Sequence, residues 1–196
     1  MFTSHLLLAL AWMGYCTMHS ILADQGVKLF IRQRIGASFT YYRTFYNLFA
    51  FVLLALLIIW QLNITTKRIW QPFYPLYILG GLMTIAGLTV MGIILKKYFI
   101  TSNGFKDLFY EGGTPVLVTD GLHRFVRHPL YLGTFLFLWG LFLLIPIWSL
   151  LVVNMVITVY TLIGIHLEEK KLISIFGEQY LEYRKKVPMI WPGMRK

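Results

Sequence analysis

The amino-acid sequence predicts an all-α integral membrane protein with about five transmembrane helices, including a helical hairpin, and a C-terminal interfacial amphipathic helix. Hydrophobic residues make up 58% of the 196 residues, and charged residues make up only 13%. Soluble domains have about 25% charged residues, so this chain has too few charges to cover a surface that faces water. Its hydrophobic residues are also gathered in long stretches that lack Asp, Glu, Lys and Arg.

Five transmembrane helices follow from four such stretches. A helix needs about 20 apolar residues to cross a hydrocarbon core about 30 Å thick. Three stretches each fit one crossing. The fourth, 128–167, fits two short helices, with Pro146 at the turn because proline breaks the helical hydrogen-bond ladder. The predicted helices are 4–23, 44–62, 73–95, 130–145 and 147–166.

The first helix is predicted to be retained, because it lacks the basic start and the small-residue cleavage site of a signal peptide. It contains the single cysteine, Cys16, which excludes an internal disulfide and a multi-cysteine metal site. No metal site is predicted from the sequence.

The basic residues predict the orientation in the membrane, because cytoplasmic loops of membrane proteins are rich in Lys and Arg. An external N-terminus and a cytoplasmic C-terminus leave only Lys67 and Arg68, of 18 basic residues, on the outer side. The predicted location is a cell membrane, with most basic residues on its cytoplasmic side. The net charge of +10 then indicates contact with anionic lipid of the bilayer, and no nucleic-acid partner is expected.

Two polar blocks flank the predicted hairpin, Leu117–His128 before it and His166–Tyr183 after it. Because a hairpin returns its two ends to the same side, we expect these blocks to meet. The first block follows a short extended segment, 115–119, and contains a turn at Asp120 and Gly121.

The second block is predicted to form an amphipathic helix over 168–184. Leu172, Phe176, Tyr180 and Tyr183 recur there at helical spacing, and we expect this aromatic face to contact the bilayer or the helix bundle. Proline at position 188 ends the helix.

His128 is the leading candidate in the first block. An imidazole can orient a polar ligand group, and the helix that starts at Pro129 offers free backbone N–H groups to an anion. Tyr131 lies one turn further along, on the same side, although tyrosine is also a common interface anchor. Arg127 is interpreted as an ordinary cytoplasmic flank.

Glu168 and Glu169 are the candidates in the second block. They are predicted to stand at the end of a membrane helix, where the helix dipole disfavours a carboxylate. A charge close to hydrocarbon is a functional candidate. The alternative is that both are solvated and paired with Lys170, Lys171 or Arg124, and this alternative is stronger for Glu169 than for Glu168.

Together the two blocks resemble a known family. LVTDGLHRFVRHPLYLG, followed by a Glu–Glu pair and FGEQYLEYRKKVP, is similar to the isoprenylcysteine carboxyl methyltransferase superfamily, which includes membrane phospholipid methyltransferases. The similarity covers about residues 96–192. MHSILADQGVKLFIRQR and the VPMIWP ending resemble its bacterial branches, the NnrU-like proteins and the methanethiol S-methyltransferases.

The resemblance implies a cofactor, S-adenosylmethionine, bound at the cytoplasmic ends of the helices. It divides the chain into three N-terminal transmembrane helices, 1–95, and a cofactor-binding methyltransferase core, 96–196. It implies that His128, Tyr131 and Glu168 act in catalysis. The implied cofactor contacts are Pro115, Val116, Leu117, Val118, His123, His128, Pro129, Leu130, Tyr131 and Glu168.

The chain departs from the superfamily at two positions. His123 stands where the family usually has tyrosine. Gly164 stands where the isoprenylcysteine enzymes have an arginine implicated with the substrate carboxylate, so the resemblance favours a small lipophilic or thiol acceptor over a prenylcysteine carboxylate.

Two other classes of protein remain open from the sequence. One is an NADPH-dependent membrane reductase of the sterol reductase type, and the other is a non-enzymatic, respiratory-associated membrane protein. A carrier would place ionisable residues near the bilayer midplane, where this chain has only His5, His19 and Cys16 as weak candidates. A soluble nucleotide-binding methyltransferase is excluded, because no GxGxxG turn follows a strand.

Overall fold

The structure, a computed structural model, describes residues 2–71, 73–101 and 116–193. Two 3₁₀-helices, Gly36–Tyr41 and Gly121–Arg124, lie within these ranges. The described residues contain no β-strand, only one isolated antiparallel bridge between Arg68 and Ile147. The α-helices in the described part of the chain are α1 Phe2–Ala23, α2 Gln25–Ile35, α3 Tyr42–Asn63, α4 Tyr74–Thr101, α5 Pro129–Leu144, α6 Trp148–Phe176 and α7 Glu178–Lys186.

Within the described residues, four segments are long and apolar enough to cross a membrane, and they belong to α1, α3, α4 and α6. α5 is apolar but has 16 residues, so it is about 24 Å long. These five helices correspond to the five predicted from the sequence, and Pro146 lies buried in the turn between α5 and α6. The prediction of an all-α integral membrane protein with a hairpin is confirmed.

α6 is longer than predicted. It continues to Phe176, so residues 168–176 belong to the hairpin helix and not to a separate tail helix. The helix ends at Gly177, whose φ is +54° and whose N–H donates to the carbonyl of Ile173 at 2.9 Å. Charged residues end an apolar stretch but are good helix formers, whereas glycine readily adopts the conformation that ends a helix.

The chain forms two compact units. The first contains α1 to α3 and the part of α6 up to residue 160, and the second contains α4, α5, the rest of α6 and α7. The division predicted at residue 95 separates regions by function and not by packing, and it stays a prediction. The first core contains Leu8, Trp12 and Val153. The second core contains Phe135, Ile165 and Ile190.

α4 and α5 of the second unit pack with their backbones in contact, along a seam of four glycines. A Cβ atom added to Gly80, Gly87, Gly133 or Gly140 would lie only 2.5–2.9 Å from an atom of the opposite helix. Small residues allow transmembrane helices to approach this closely. The seam therefore fixes α5, and with it the segment that starts α5, against α4.

Candidate active site

The two polar blocks meet in the second unit, as predicted. Arg127, His128 and Pro129, here called the RHP segment, start α5 and lie against the C-terminal segment, Val187–Ile190. The backbone N–H of Arg127 donates to the carbonyl of Pro188 at 2.9 Å, and that of His128 donates to the carbonyl of Met189 at 3.1 Å. These bonds fix the residues before α5 to the C-terminal segment, while the free backbone N–H groups expected after Pro129, in the first turn of α5, stay a prediction.

Glu169 is the most heavily bonded group of the site. Its Oε1 accepts hydrogen bonds from Nε of Arg127 at 2.7 Å and from the Tyr180 hydroxyl at 3.2 Å. The same oxygen lies 2.6 Å from Nη2 of Arg127 and 3.4 Å from Nε2 of His128. The other carboxylate oxygen, Oε2, lies 3.6 Å from Nε of Arg184. The Glu169 side chain is 6% exposed. It is a buried anion whose charge is neutralised by the protein itself.

Arg127 links this anion to the C-terminal segment. Its guanidinium binds Glu169 through Nε and Nη2, while Nη1 donates to the carbonyls of Val187 at 2.6 Å and Arg184 at 3.2 Å. The planar guanidinium has donors on several edges, which suits such a bridge. The interpretation of Arg127 as an ordinary cytoplasmic flank is therefore wrong, because its side chain is only 8% exposed.

Glu168 has a different environment from its neighbour. Its side chain is 43% exposed, and its Oε2 lies 3.7 Å from Nδ1 of His128, which is too long for a hydrogen bond. Both glutamates lie inside α6 and not at its end. The structure thus provides one carboxylate tied up by the protein and one that can accept hydrogen bonds from a ligand.

His128 and Tyr131 lie together at the start of α5. The His128 residue is 5% exposed, and its ring centroid is 5.7 Å from that of Tyr131. Pro129 is buried in the first helical turn, where proline is favoured, and Leu130 is partly buried. The predicted same-side placement of His128 and Tyr131 is confirmed.

His123 lies in the 3₁₀-helix before the RHP segment. Its carbonyl accepts a hydrogen bond from the Tyr183 hydroxyl at 2.7 Å, while its Nδ1 is buried and has no hydrogen-bond partner within the described residues. Burial, reinforced by the charge of Lys97, lowers the pKa of His123. Burial raises the pKa of Tyr183 to about 12, so its hydroxyl remains a donor at neutral pH.

The segment before His123 is more exposed. Val116 is 77% exposed and Val118 is 40% exposed, while Leu117 is partly buried. Asp120 holds this loop to α4 through an ion pair of 2.6 Å with Lys97. Pro115, also predicted as a cofactor contact, lies outside the described residues.

Glu169 is a sequence candidate, but the sequence favours a solvated carboxylate there, and the structure buries it. Arg127 and Tyr180 are not among the site residues predicted from the sequence. Of the two surroundings expected for Tyr180, the structure has the bundle, because Tyr180 is 1% exposed and contacts Glu169. A signal for Glu169 exists in the sequence, because the apolar residue Ile165 lies four residues before it, on the same helix face. The structure buries both residues.

A cavity of about 430 Å³ lies in the first unit. Apart from His5, its lining is apolar, and none of the predicted site residues contributes to it. Across the residues that the structure describes, no group of three or more His, Cys, Asp or Glu side chains is arranged to hold a metal ion.

Comparison with known proteins identifies the family of this chain. A family described as phospholipid methyltransferase matches residues 75–179. The chain is 31% identical to a methanethiol S-methyltransferase of Crocosphaera subtropica over 93% of its length and 72% of the relative, and 30% identical to one of Pseudomonas deceptionensis over 93% and 70%. A protein-S-isoprenylcysteine O-methyltransferase of Schizosaccharomyces pombe is 42% identical over 37% of this chain and 31% of its own. The chain belongs to the phospholipid methyltransferase family.

Proposed function

We propose that this protein is an S-adenosylmethionine-dependent membrane methyltransferase whose acceptor is a small thiol or another small lipophilic molecule. The family match, which includes both the RHP segment and Glu168, supports the activity. The relatives named methanethiol S-methyltransferase support the acceptor class. The observation that carries the proposal is the contrast between Glu169, buried and neutralised, and Glu168, accessible beside His128.

The residues present fit the polar groups of S-adenosylmethionine. An ammonium group, such as the one at its amino-acid end, is a strong donor to a carboxylate, and Glu168 offers an accessible one. The buried Nδ1 of His123 lacks a partner within the described residues and can bind a further polar group. The ring of Tyr131 offers an aromatic surface next to His128.

The other predicted contacts are proposed to act through backbone and packing. This set contains Val116, Leu117 and Val118 of the exposed segment, with Pro129 and Leu130 at the start of α5. Pro115 belongs to the same proposed set.

When bound, S-adenosylmethionine supplies an electrophilic methyl group on its sulfonium. The chain supplies binding and orientation, since methyl transfer requires the acceptor in line with the methyl group at about 3–3.5 Å. Glu168 anchors the cofactor, and the bond from Arg127 to Glu169 holds the RHP segment in place. Apolar side chains such as Phe135 and Ile165 exclude water. This favours transfer to a thiolate, formed when the thiol loses its proton to solvent, because the negative thiolate and the positive sulfonium give two uncharged sulfides.

Gly164 supports a small acceptor that has no carboxylate. It lies one helical turn before Glu168 in α6, and a Cβ atom added there would have no heavy atom of the described residues within 4 Å. A longer side chain would fit, but glycine supplies neither bulk nor a cation to pair with an acceptor carboxylate. A thiol such as methanethiol needs no such cation.

The proposed orientation places the site on the cytoplasmic side of a bacterial inner membrane, where S-adenosylmethionine is made. Most basic residues then face the cytoplasm. A reporter fused after residue 196 should be cytoplasmic, and one inserted at 63–71 should be external. The reverse result would separate the site from its cofactor supply and contradict the proposal.

Calorimetric titration of the detergent-purified protein tests the cofactor. We expect S-adenosylmethionine and S-adenosylhomocysteine to bind and NADPH not to bind. Binding of NADPH alone would contradict the proposal and point to a reductase. Methylation assays with methanethiol and with a prenylcysteine analogue then test the acceptor, and preferred methylation of the prenylcysteine carboxylate would contradict the thiol assignment.

The variant Glu168→Gln tests the site itself. Loss of a hydrogen bond to a charged group costs about 1.5–3 kcal/mol, so we expect affinity for S-adenosylmethionine to fall roughly 10- to 100-fold. His128→Ala should also weaken binding. Glu178→Gln, the same change at an exposed position at the start of α7, is the matched control and should bind like the parent protein.

A further inference from the structure

α2 is a short, well-defined helix in the interval between two membrane-spanning segments. The Asp24 side chain accepts hydrogen bonds from the N–H groups of Gly26 at 2.8 Å and Val27 at 3.2 Å, which is a typical N-cap. Gly36, with φ +57°, ends the helix. With 11 residues, α2 is about 16 Å long and cannot cross a hydrocarbon core of about 30 Å.

The charges of α2 have one sign. Lys28, Arg32 and Arg34 lie on the helix, which has no acidic residue. In the described part of the chain, no carboxylate lies within 4 Å of these three cations. Lys28 and Arg32 are one helical turn apart and therefore lie on the same side. This surface is complementary to an anionic partner.

The same helix also exposes large apolar side chains. Leu29 is 56% exposed and Phe30 is 58% exposed. The Arg34 guanidinium lies over the Phe30 ring, 5.2 Å from its centroid. Basic residues combined with exposed Leu and Phe are typical of helices that lie in the interface of a membrane, with the apolar groups below the headgroups.

We propose that α2 lies in the membrane surface and binds the phosphate groups of anionic phospholipids. The chain connections hold α2 near the membrane surface, because the helices before and after it, α1 and α3, contain membrane-spanning segments. The charge of Lys28, Arg32 and Arg34 selects anionic over zwitterionic lipid. This inference depends on insertion in the membrane and is independent of the proposed chemistry and of the orientation.

The role of the three cations of α2 is tested by measuring which lipids the purified protein retains. Native mass spectrometry of the purified protein, equilibrated with phosphatidylglycerol and phosphatidylcholine, should show a preference for phosphatidylglycerol. The variant Lys28→Gln/Arg32→Gln/Arg34→Gln should lose about fivefold in affinity for phosphatidylglycerol per cation removed, with unchanged retention of phosphatidylcholine. An unchanged preference in this variant would overturn the proposal.

A second variant separates α2 from net charge. Lys170→Gln/Lys171→Gln/Lys186→Gln removes the same charge from exposed positions near the other end of the chain. It should keep the preference of the parent protein. An equal loss in both triple variants would assign the preference to overall charge and overturn the proposal for α2.

Spin labelling tests the depth of the helix. Single cysteines for the label are introduced by Phe30→Cys, by Leu56→Cys in α3 or by Glu178→Cys in α7, each in a protein that also carries Cys16→Ser. In lipid nanodiscs, the collision rates of each label with oxygen and with a water-soluble nickel complex are compared. The Phe30 label should resemble that at Leu56, which lies in a membrane-spanning segment. Resemblance to the label at Glu178 would place Phe30 in water and overturn the proposal.

Discussion

Removal of the Glu169 carboxylate perturbs the site at its most buried charge. In Glu169→Leu, the Arg127 guanidinium stays 8% exposed and loses its anion, and the Tyr180 hydroxyl loses its acceptor. In Arg127→Met, the Glu169 carboxylate stays buried without its main partner. Each single variant therefore leaves an uncompensated charge inside the protein.

The expected loss of stability is large for each single variant. Removing one partner of a buried ion pair costs about 3–5 kcal/mol, against a total stability of about 5–15 kcal/mol for a typical protein. The double variant Arg127→Met/Glu169→Leu leaves neither charge behind. It still loses the bonds from Arg127 to the carbonyls of Val187 and Arg184, at about 1 kcal/mol each. The two single variants together should cost about 6–10 kcal/mol, so the double variant should cost less than their sum by at least about 3 kcal/mol.

The free energy of unfolding in mixed detergent micelles, measured by titration with a denaturing detergent, gives this coupling. Asp120→Leu is the control, because it removes one partner of the exposed Lys97–Asp120 ion pair, whose side chains are 31% and 65% exposed. Exposed pairs contribute only about 0–1 kcal/mol. If Glu169→Leu cost no more than Asp120→Leu, or if the single variants were additive, the assignment of Glu169 as a neutralised buried anion would be refuted.

Two further predictions use the same unfolding measurement. Gly87→Ala should destabilise the protein by about 1–3 kcal/mol, because its Cβ would lie 2.5 Å from a backbone atom of α5, whereas Gly81→Ala meets no atom within 4 Å and should be neutral or stabilising. Burial lowers the pKa of His123 from 6.5 in the folded state, so the unfolded state takes up a proton first as the pH falls. Stability should therefore decrease from pH 7 to pH 5, and His123→Gln should reduce this decrease; an identical pH profile in the variant would contradict the assignment.

The helices whose apolar side chains favour lipid over water could be predicted from the sequence. Runs of apolar residues marked α1, α3, α4 and α5, and Pro146 marked the turn before α6. Hydropathy marks the extent of an apolar stretch and not the end of a helix, so the continuation of α6 to Phe176 was missed. For the same reason α2 was missed, because its three cations lower its hydropathy although its caps stabilise a helix.

The site was predicted at the level of segments but not at the level of single side chains. The meeting of the two polar blocks follows from connectivity, since a hairpin brings its ends together. The roles of Glu168 and Glu169 do not follow from connectivity, because adjacent residues point in directions about 100° apart around a helix. That rotation buries Glu169 against Arg127 and leaves Glu168 accessible, and only the packing of α6 decides which glutamate is which.

The glycine seam between α4 and α5 has a consequence for how an acceptor reaches the site. At Gly87 the closest atoms of α5 all belong to its backbone, so no side chain there can change rotamer and open a gap. Separating the helices would require movement of both backbones along the whole seam. α4 and α5 should therefore move as one rigid body. An acceptor that diffuses in from the bilayer must then enter along another side of the second unit.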